Sequence, residues 1–282
     1  MKASDIKWLH VEASSKCNAW CPACPRNNNG YGLKPGLVEQ DLETDRLADI
    51  LNQLPMLDGI QFCGNYGDPV IAHNFIELIK LAKRHTQKIQ IHTNGSLRTT
   101  AWWKDLANLL TDINHDVWFG IDGLKGVHEI YRQGTDYNKV IENAKAFISA
   151  GGTATWQFIP YAHNEHQVKD CIRTSQKLGF KHFKLVKLYR NRQLAKNYRT
   201  GEEFDLLPPV EFQHLIRMPK ISTVVDPKNC IHLLPPSMYL AASGKLSTCC
   251  FFAPVEKFDS IDELLYNKLD LTHNQCLISC GT

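Results

Sequence analysis

Short apolar stretches alternate along the first two thirds of the chain with longer stretches whose apolar residues recur every third or fourth position. IKWLHVEA (6–13), GIQFC (59–63), KIQIH (88–92), VWFGI (117–121), TATWQFI (153–159) and KHFKLV (181–186) read as strands. Between them, Leu47, Ile50, Leu51 and Leu54 share one face of a helix expected from about 43 to Pro55, and Phe75, Ile76, Ile79 and Ala82 mark a second. Further helices are expected around 101–110, 138–150 and 165–178, the middle one stopped by Gly151-Gly152. Parallel neighbours need long crossovers, so this alternation predicts an α/β fold with helices joining parallel strands. The expected architecture is a partial (β/α)6 TIM-like barrel, with an open doubly wound sheet as the alternative. Polar and glycine-rich segments follow the strands: GNYGDP (64–69), TNGS (93–96) and Asp122-Gly123. Parallel sheets place their ligands beyond the C-terminal ends of the strands, so the site is expected there.

Composition narrows the classes. The chain has 282 residues, 43% of them hydrophobic and 22% charged, which suits a globular protein with a sizeable core. A net charge of +3 gives no reason to expect nucleic acid as a partner. No run of eighteen apolar residues occurs and MKASDIKWLHVEA lacks a signal-peptide core, so a cytoplasmic protein without membrane contact is expected. In that compartment thiols stay reduced, and ten cysteines are metal ligands, redox groups or core residues rather than a disulfide framework.

The cysteines fall in two groups. Cys17, Cys21 and Cys24 form CNAWCPAC after the first strand, Cys230, Cys249, Cys250, Cys276 and Cys280 lie near the other end, and Cys63 and Cys171 stand between. Three thiols without a histidine inside the motif suit an iron–sulfur cluster with one iron left open, or zinc with a distant fourth ligand. Cys171 shares a helical face with Val168, Ile172 and Ser175 and reads as core, and Cys63 is also expected to pack in the core. HNEH (163–166) sits where a loop becomes a helix and reads as a capping or exposed segment. The basic run KLYRNRQLAKNYR (187–199) reads as an exposed linker.

CNAWCPAC resembles the cluster-binding motif of the radical S-adenosylmethionine enzymes. QFCGNYGDP, IHTNGS, and FGIDG followed by HEIYRQG (128–134) resemble the segments after the second, third and fourth strands of that family, in order. The resemblance spans roughly residues 6–186. It implies that Cys17, Cys21 and Cys24 bind a 4Fe-4S cluster whose open iron takes the amino and carboxylate groups of S-adenosyl-L-methionine. It also implies that Asp68 receives the amino group, that Arg132 pairs with the carboxylate, and that Asn94 and Ser96 make polar contacts to the cofactor. Reductive cleavage would then give a 5'-deoxyadenosyl radical that abstracts a substrate hydrogen. One departure is Ala23, where many members carry an aromatic residue; Trp20 precedes the second cysteine instead.

PSMYLAASGKLSTCC (236–250) reads as two short strands joined around Ser243-Gly244, and SIDELLYN (260–267) as a short helix. This cysteine-rich end resembles the short, twitch form of the auxiliary-cluster domain found in the same family. The resemblance points to Cys230, Cys249, Cys276 and Cys280 as ligands of an auxiliary 4Fe-4S cluster, with Cys250 the alternative to Cys249 and structural zinc the alternative metal. The expected organisation is a core domain at 1–186, a linker or bridging segment at 187–227 and an auxiliary-cluster domain at 228–282. The leading expectation for function is two-electron oxidation of a small hydroxylated substrate, fed by an external one-electron donor such as flavodoxin or ferredoxin. Peptide modification is the alternative enzyme activity, and an iron–sulfur electron-transfer or interaction protein the alternative outside catalysis. No catalytic base can be named from spacing.

Overall fold

A computed structural model describes residues 2–186, 193–215, 237–248 and 258–266. Strands β1 (Trp8–Val11), β2 (Gly59–Phe62), β3 (Lys88–Thr93), β4 (Asn114–Gly120), β5 (Ala154–Phe158) and β6 (His182–Leu185) lie side by side in chain order, all parallel. The crossovers carry α1 (Thr44–Asn52), α2 (Phe75–Ala82), α3 (Thr100–Leu110), α4 (His128–Tyr131), α5 (Tyr137–Ser149) and α6 (Val168–Lys177). This is the partial (β/α) barrel that the alternation predicts. The last helix is shorter than expected, because Glu165–Gln167 wind as a tighter 3-10 turn before it.

Local chemistry sets the helix ends. The Thr99 hydroxyl accepts from Trp102 N–H at 3.2 Å to start α3, and Asp136 accepts from Asn138 N–H at 2.9 Å to start α5. Gly151, at φ +90°, ends α5, and the N–H groups of Gly151 and Gly152 close on the Ile148 and Phe147 carbonyls.

The strands are two-faced. Leu9, Val11, Ile60, Phe62, Ile89, Ile91, Val117 and Phe119 have no exposed surface and pack with helix residues such as Leu47, Leu78 and Leu106 in one continuous core. Alternating with them, His10, Gln61, Gln90, His92, Asp116 and Trp118 line the opposite, concave side and are only partly buried. Apolar packing thus lies outside the arc of strands and polar side chains inside it.

Two hairpins complete the described chain. β7 (Gln193–Lys196) and β8 (Glu203–Leu206) form a separate antiparallel pair inside the segment expected as a linker. The expected hairpin around Ser243-Gly244 is present as β9 (Ser237–Leu240) and β10 (Leu246–Ser247). Its first strand pairs parallel with β1, Leu9 opposite Met238, so the eight-stranded sheet runs β10-β9-β1-β2-β3-β4-β5-β6. Arg46 of α1 holds the hairpin turn, donating to the Gly244 carbonyl at 2.8 Å and the Asp259 carbonyl at 2.6 Å. Ile261 and Leu264 bring α7 (Ile261–Tyr266) onto the main core. Cys230, Cys249, Cys250, Cys276 and Cys280 lie outside the described residues. Among the described residues no helix is long and apolar enough to cross a membrane.

Candidate active site

The cysteine loop leaves β1 and is tied down from three sides. Arg26, 3% exposed, donates to the carbonyls of Ser15 and Tyr66 and pairs with Glu39. Asn27 donates to the Cys21 carbonyl at 3.1 Å, and Trp20 N–H donates to the Gln133 carbonyl at 2.7 Å. The Trp20 ring stacks on Tyr198, which follows β7, at 5.3 Å and an interplanar angle of 5°. The β7–β8 hairpin therefore lies over the loop instead of trailing through solvent. Gly30 sits so close to it that an added Cβ would lie 2.1 Å from the Lys196 carbonyl oxygen. Trp20 faces this hairpin and does not line the cavity described below.

The residues that the family resemblance singles out gather beyond the strand ends. Asp68 is 4% exposed and caps the turn after β2, accepting from Val70 N–H at 3.2 Å. It also accepts from the Thr93 hydroxyl at 2.9 and 3.1 Å and from Asn94 N–H at 2.7 Å, which ties the loop after β2 to the end of β3. Burial pushes its carboxyl pKa up against those bonds. Asn94 donates through its amide to Asn18 at 2.9 Å and towards the Cys17 sulfur at 3.8 Å. Ser96 donates to Asn94 at 2.6 Å and accepts from Asn18 at 2.8 Å; it supports Asn94 from behind and does not line the cavity. Arg132 donates through Nε to Asp122 at 2.6 Å, with Asp122 fully buried. Burial works against its charge, yet Asp122 and the Cys21 sulfur hold its pKa well above the usual value. Gly120 makes room for it: a Cβ there would meet the guanidinium at 2.6 Å.

A cavity of about 450 Å³ opens between these groups, lined by Cys17, Cys21 and Cys24 and by Asp68, Asn94 and Arg132. Its lining also contains Cys63, Asn65, His92, Gln157 and Tyr161, the last packed with Cys21. Cys63 thus departs from the core position expected of it: it follows β2 on the concave face of the sheet, whereas Cys171 is fully buried in the core. Among the described residues no three His, Cys, Asp or Glu side chains converge on a single metal position. The three thiols border one shared space, where they could hold a metal group together. Their chemistry agrees, since thiols are soft donors. Two N–H groups aim at the Cys17 sulfur, from Ala19 at 3.4 Å and from Asn94 at 3.8 Å, as a thiolate ligand would want. Burial pushes the Cys17 thiol up and the Cys21 thiol up to about 12, so without a bound cation these two stay neutral.

HNEH holds no metal-like cluster. Glu165 accepts from the N–H groups of Val210 and Glu211 at 2.9 and 2.8 Å, and His163 stacks on Tyr161; neither the 3-10 turn nor the helix after it receives a side-chain cap at its start. Sequence reasoning missed Asn18, Arg26 and Glu12. Glu12 is 2% exposed and accepts from Tyr66 N–H at 2.7 Å and from the Tyr239 hydroxyl at 2.8 Å. Arg26 immediately follows CPACP, which is the one signal that could have drawn attention to it.

No family model matches the chain. A tungsten-containing aldehyde ferredoxin oxidoreductase cofactor-modifying protein from Pyrococcus furiosus is 29% identical over 129 residues, 46% of this chain and 34% of that one. The chain therefore spans about a third of that relative's length. Streptococcus suis SuiB bound to S-adenosylmethionine superposes with a TM-score of 0.67 at 11% identity, covering 98% of this chain and 72% of SuiB. Native anSMEcpe with bound AdoMet and a Cp18Cys peptide gives a TM-score of 0.59 at 16% identity, covering 95% of this chain and 81% of that one. The ordered strand exits, the three-thiol loop and these superpositions agree, and the chain has the fold of the radical S-adenosylmethionine enzymes.

Proposed function

We propose that the protein is a radical S-adenosylmethionine enzyme that modifies a peptide. The observation that carries this reading is the charge pattern of the cavity. Besides the three cysteines of the loop, its described lining holds one carboxylate, Asp68, and one cation, Arg132. These two match the amino and carboxylate groups of the methionyl moiety, with Asn94 supporting the loop beside them. The wall left for a substrate, Cys63, Asn65, His92, Gln157 and Tyr161, is uncharged, because burial pushes His92 down to about 4. An amino-alcohol would bring a second ammonium group, and the described lining holds no carboxylate besides Asp68 to receive it. Amide and hydroxyl groups of a peptide suit this wall better. The likeness to structures that hold S-adenosylmethionine, one of them with a peptide as well, supports the same reading.

The cluster, when bound through Cys17, Cys21 and Cys24, supplies the electron that splits the sulfonium of S-adenosylmethionine. Arg26 and Asn27 keep the three thiols in place, Arg132 and Asp68 orient the methionyl end, and the β7–β8 hairpin covers the loop from outside. Cys230, Cys249, Cys276 and Cys280 are proposed to hold the auxiliary cluster, and the electron for the first cluster to come from a soluble one-electron carrier.

The test is anaerobic incubation of reconstituted protein with dithionite and S-adenosylmethionine, monitoring 5'-deoxyadenosine by mass spectrometry. The Cys17→Ala/Cys21→Ala/Cys24→Ala variant serves as control. Parallel reactions contain either a randomised peptide library or a panel of amino-alcohols. Product from wild type alone together with a mass change in library peptides is expected. Oxidation of an amino-alcohol instead would overturn the peptide assignment. No 5'-deoxyadenosine from a fully loaded protein would overturn the enzyme reading in favour of electron transfer.

A further inference from the structure

Glu12, the residue after β1, is a buried carboxylate that does not line the cavity. It is 2% exposed, and burial pushes its carboxyl up against the hydrogen bonds that it accepts. Such a group is costly in a fold unless its bonds are made. Its partners come from two sides. One oxygen accepts from Tyr66 N–H at 2.7 Å, and the N–H groups of Asn65 and Gly67 also bond to the carboxylate. The loop 64–68 thus turns three successive N–H groups onto Glu12 while Asn65 and Asp68 line the cavity. A loop that sags from Glu12 carries Asp68 with it.

The other Glu12 oxygen accepts from the Tyr239 hydroxyl at 2.8 Å. Tyr239, 1% exposed, stands opposite His10 in the β1–β9 register, and the two rings pack at 85° with centroids 4.8 Å apart. His10 in turn donates to the Cys63 carbonyl, the last one before the loop. The Glu12 backbone is fixed as well, its N–H donating to the Leu240 carbonyl at 2.9 Å. One side chain of the C-terminal hairpin therefore braces both groups that hold the loop, His10 at its start and Glu12 beneath its middle.

Resting on the function proposed above, we infer that Glu12 and Tyr239 are positioning residues for S-adenosylmethionine: acting through the loop 64–68, they fix Asp68 where it receives the methionyl amino group. Neither lines the cavity; the Tyr239 hydroxyl acts through a carboxylate and the loop N–H groups. Binding beside the first cluster then depends on a strand that reaches it from the other end of the chain.

The test compares substitutions on opposite faces of β9. Tyr239→Phe removes only the hydroxyl and leaves the ring against His10. Met238→Ala opens a hole in the main core, on the face turned away from Glu12. Each variant is reconstituted, matched to wild type for iron and titrated with S-adenosylmethionine by anaerobic equilibrium dialysis without reductant. Amide hydrogen exchange of residues 64–68 is followed in the same samples. Tyr239→Phe is expected to raise the dissociation constant about tenfold, the scale of one lost hydrogen bond to a charged group, and to speed exchange at 65–67. Glu12→Gln, which keeps one acceptor oxygen of the two, is expected to weaken binding in the same way. Met238→Ala is expected to melt at a lower temperature yet bind as wild type does. A purely structural role for Tyr239 would lower the melting temperature and leave the affinity of the folded, loaded protein unchanged. Unchanged affinity in either Tyr239→Phe or Glu12→Gln, or an equal loss in Met238→Ala, overturns the inference and leaves the enzyme reading intact. A loaded wild-type protein that does not bind S-adenosylmethionine overturns both.

Discussion

Asp122 has no exposed surface and uses both carboxylate oxygens inside the protein, one for Arg132 at 2.6 Å and one for Ile159 N–H at 2.6 Å. Breaking a buried pair strands the remaining charge, so Asp122→Asn is expected to cost about 3–5 kcal/mol, read from the urea midpoint. The variant should also weaken S-adenosylmethionine binding, read by equilibrium dialysis, because Arg132 loses its anchor. Three histidines, one fully and two partly buried, set a pH dependence. Burial pushes His92 and His163 down to about 4 and His128 down to about 3, the latter helped by the charge of Arg132. The unfolded chain takes up protons near the ordinary value of 6.5 while the folded chain does not. Stability is therefore complete above that pH and falls from about 6.5 towards about 4, by about 1.4 kcal/mol per pH unit for each histidine. Thermal melts of the cluster-free protein, flat above neutrality and declining below, would check this. Asp68 and Arg132 were legible because they lie in ordered motifs. Asn18, Arg26 and Glu12 were not, since their roles come from partners far along the chain, Ser96, Tyr66 and Tyr239.

At the scale of elements, the loop between β2 and α2 depends on the closeness of two backbones. A Cβ on Gly67 would lie 1.8 Å from the Ser14 carbonyl oxygen and 2.8 Å from that of Lys16, the carbonyl that accepts from Asp68 N–H. Gly67→Ala must therefore push the loop off the cysteine segment. The expected result is a destabilisation of about 1–3 kcal/mol in chemical unfolding, together with a clear loss of iron retained after reconstitution. The six parallel strands could be read in advance because the apolar face of each repeats at a period of two and the helices between them at a longer one. The β7–β8 hairpin could not. Its first half lies in a basic stretch that looks solvated, and what holds it down, Trp20, Tyr31 and Gln133, is invisible to local pattern. Tyr31 donates to Glu203 at 2.7 Å, and Gln133 accepts from Tyr198 N–H at 3.0 Å.

For the whole molecule, the informative feature is that β9 lies against β1. The hairpin itself was legible from Ser243-Gly244, but nothing in its composition said which strand edge it would join. Its Tyr239 hydroxyl reaches Glu12, whose carboxyl burial pushes up, so the C-terminal segment also supports the exit of the first strand, where the cysteine loop begins. Removing residues from 237 onward would bare the edge of β1 and leave Glu12 short of a partner. Such a chain is expected to self-associate, seen as growing light scattering where the full chain stays clear. The same pairing sets an order of events during synthesis. β1 is made before the other strands of its sheet, yet the strand that covers its outer edge is not complete until residue 240. Until then the nascent arc carries one open flank beside its thiol loop, so the edge is sealed, and the loop's exit propped, only after β2 to β6 have all been made.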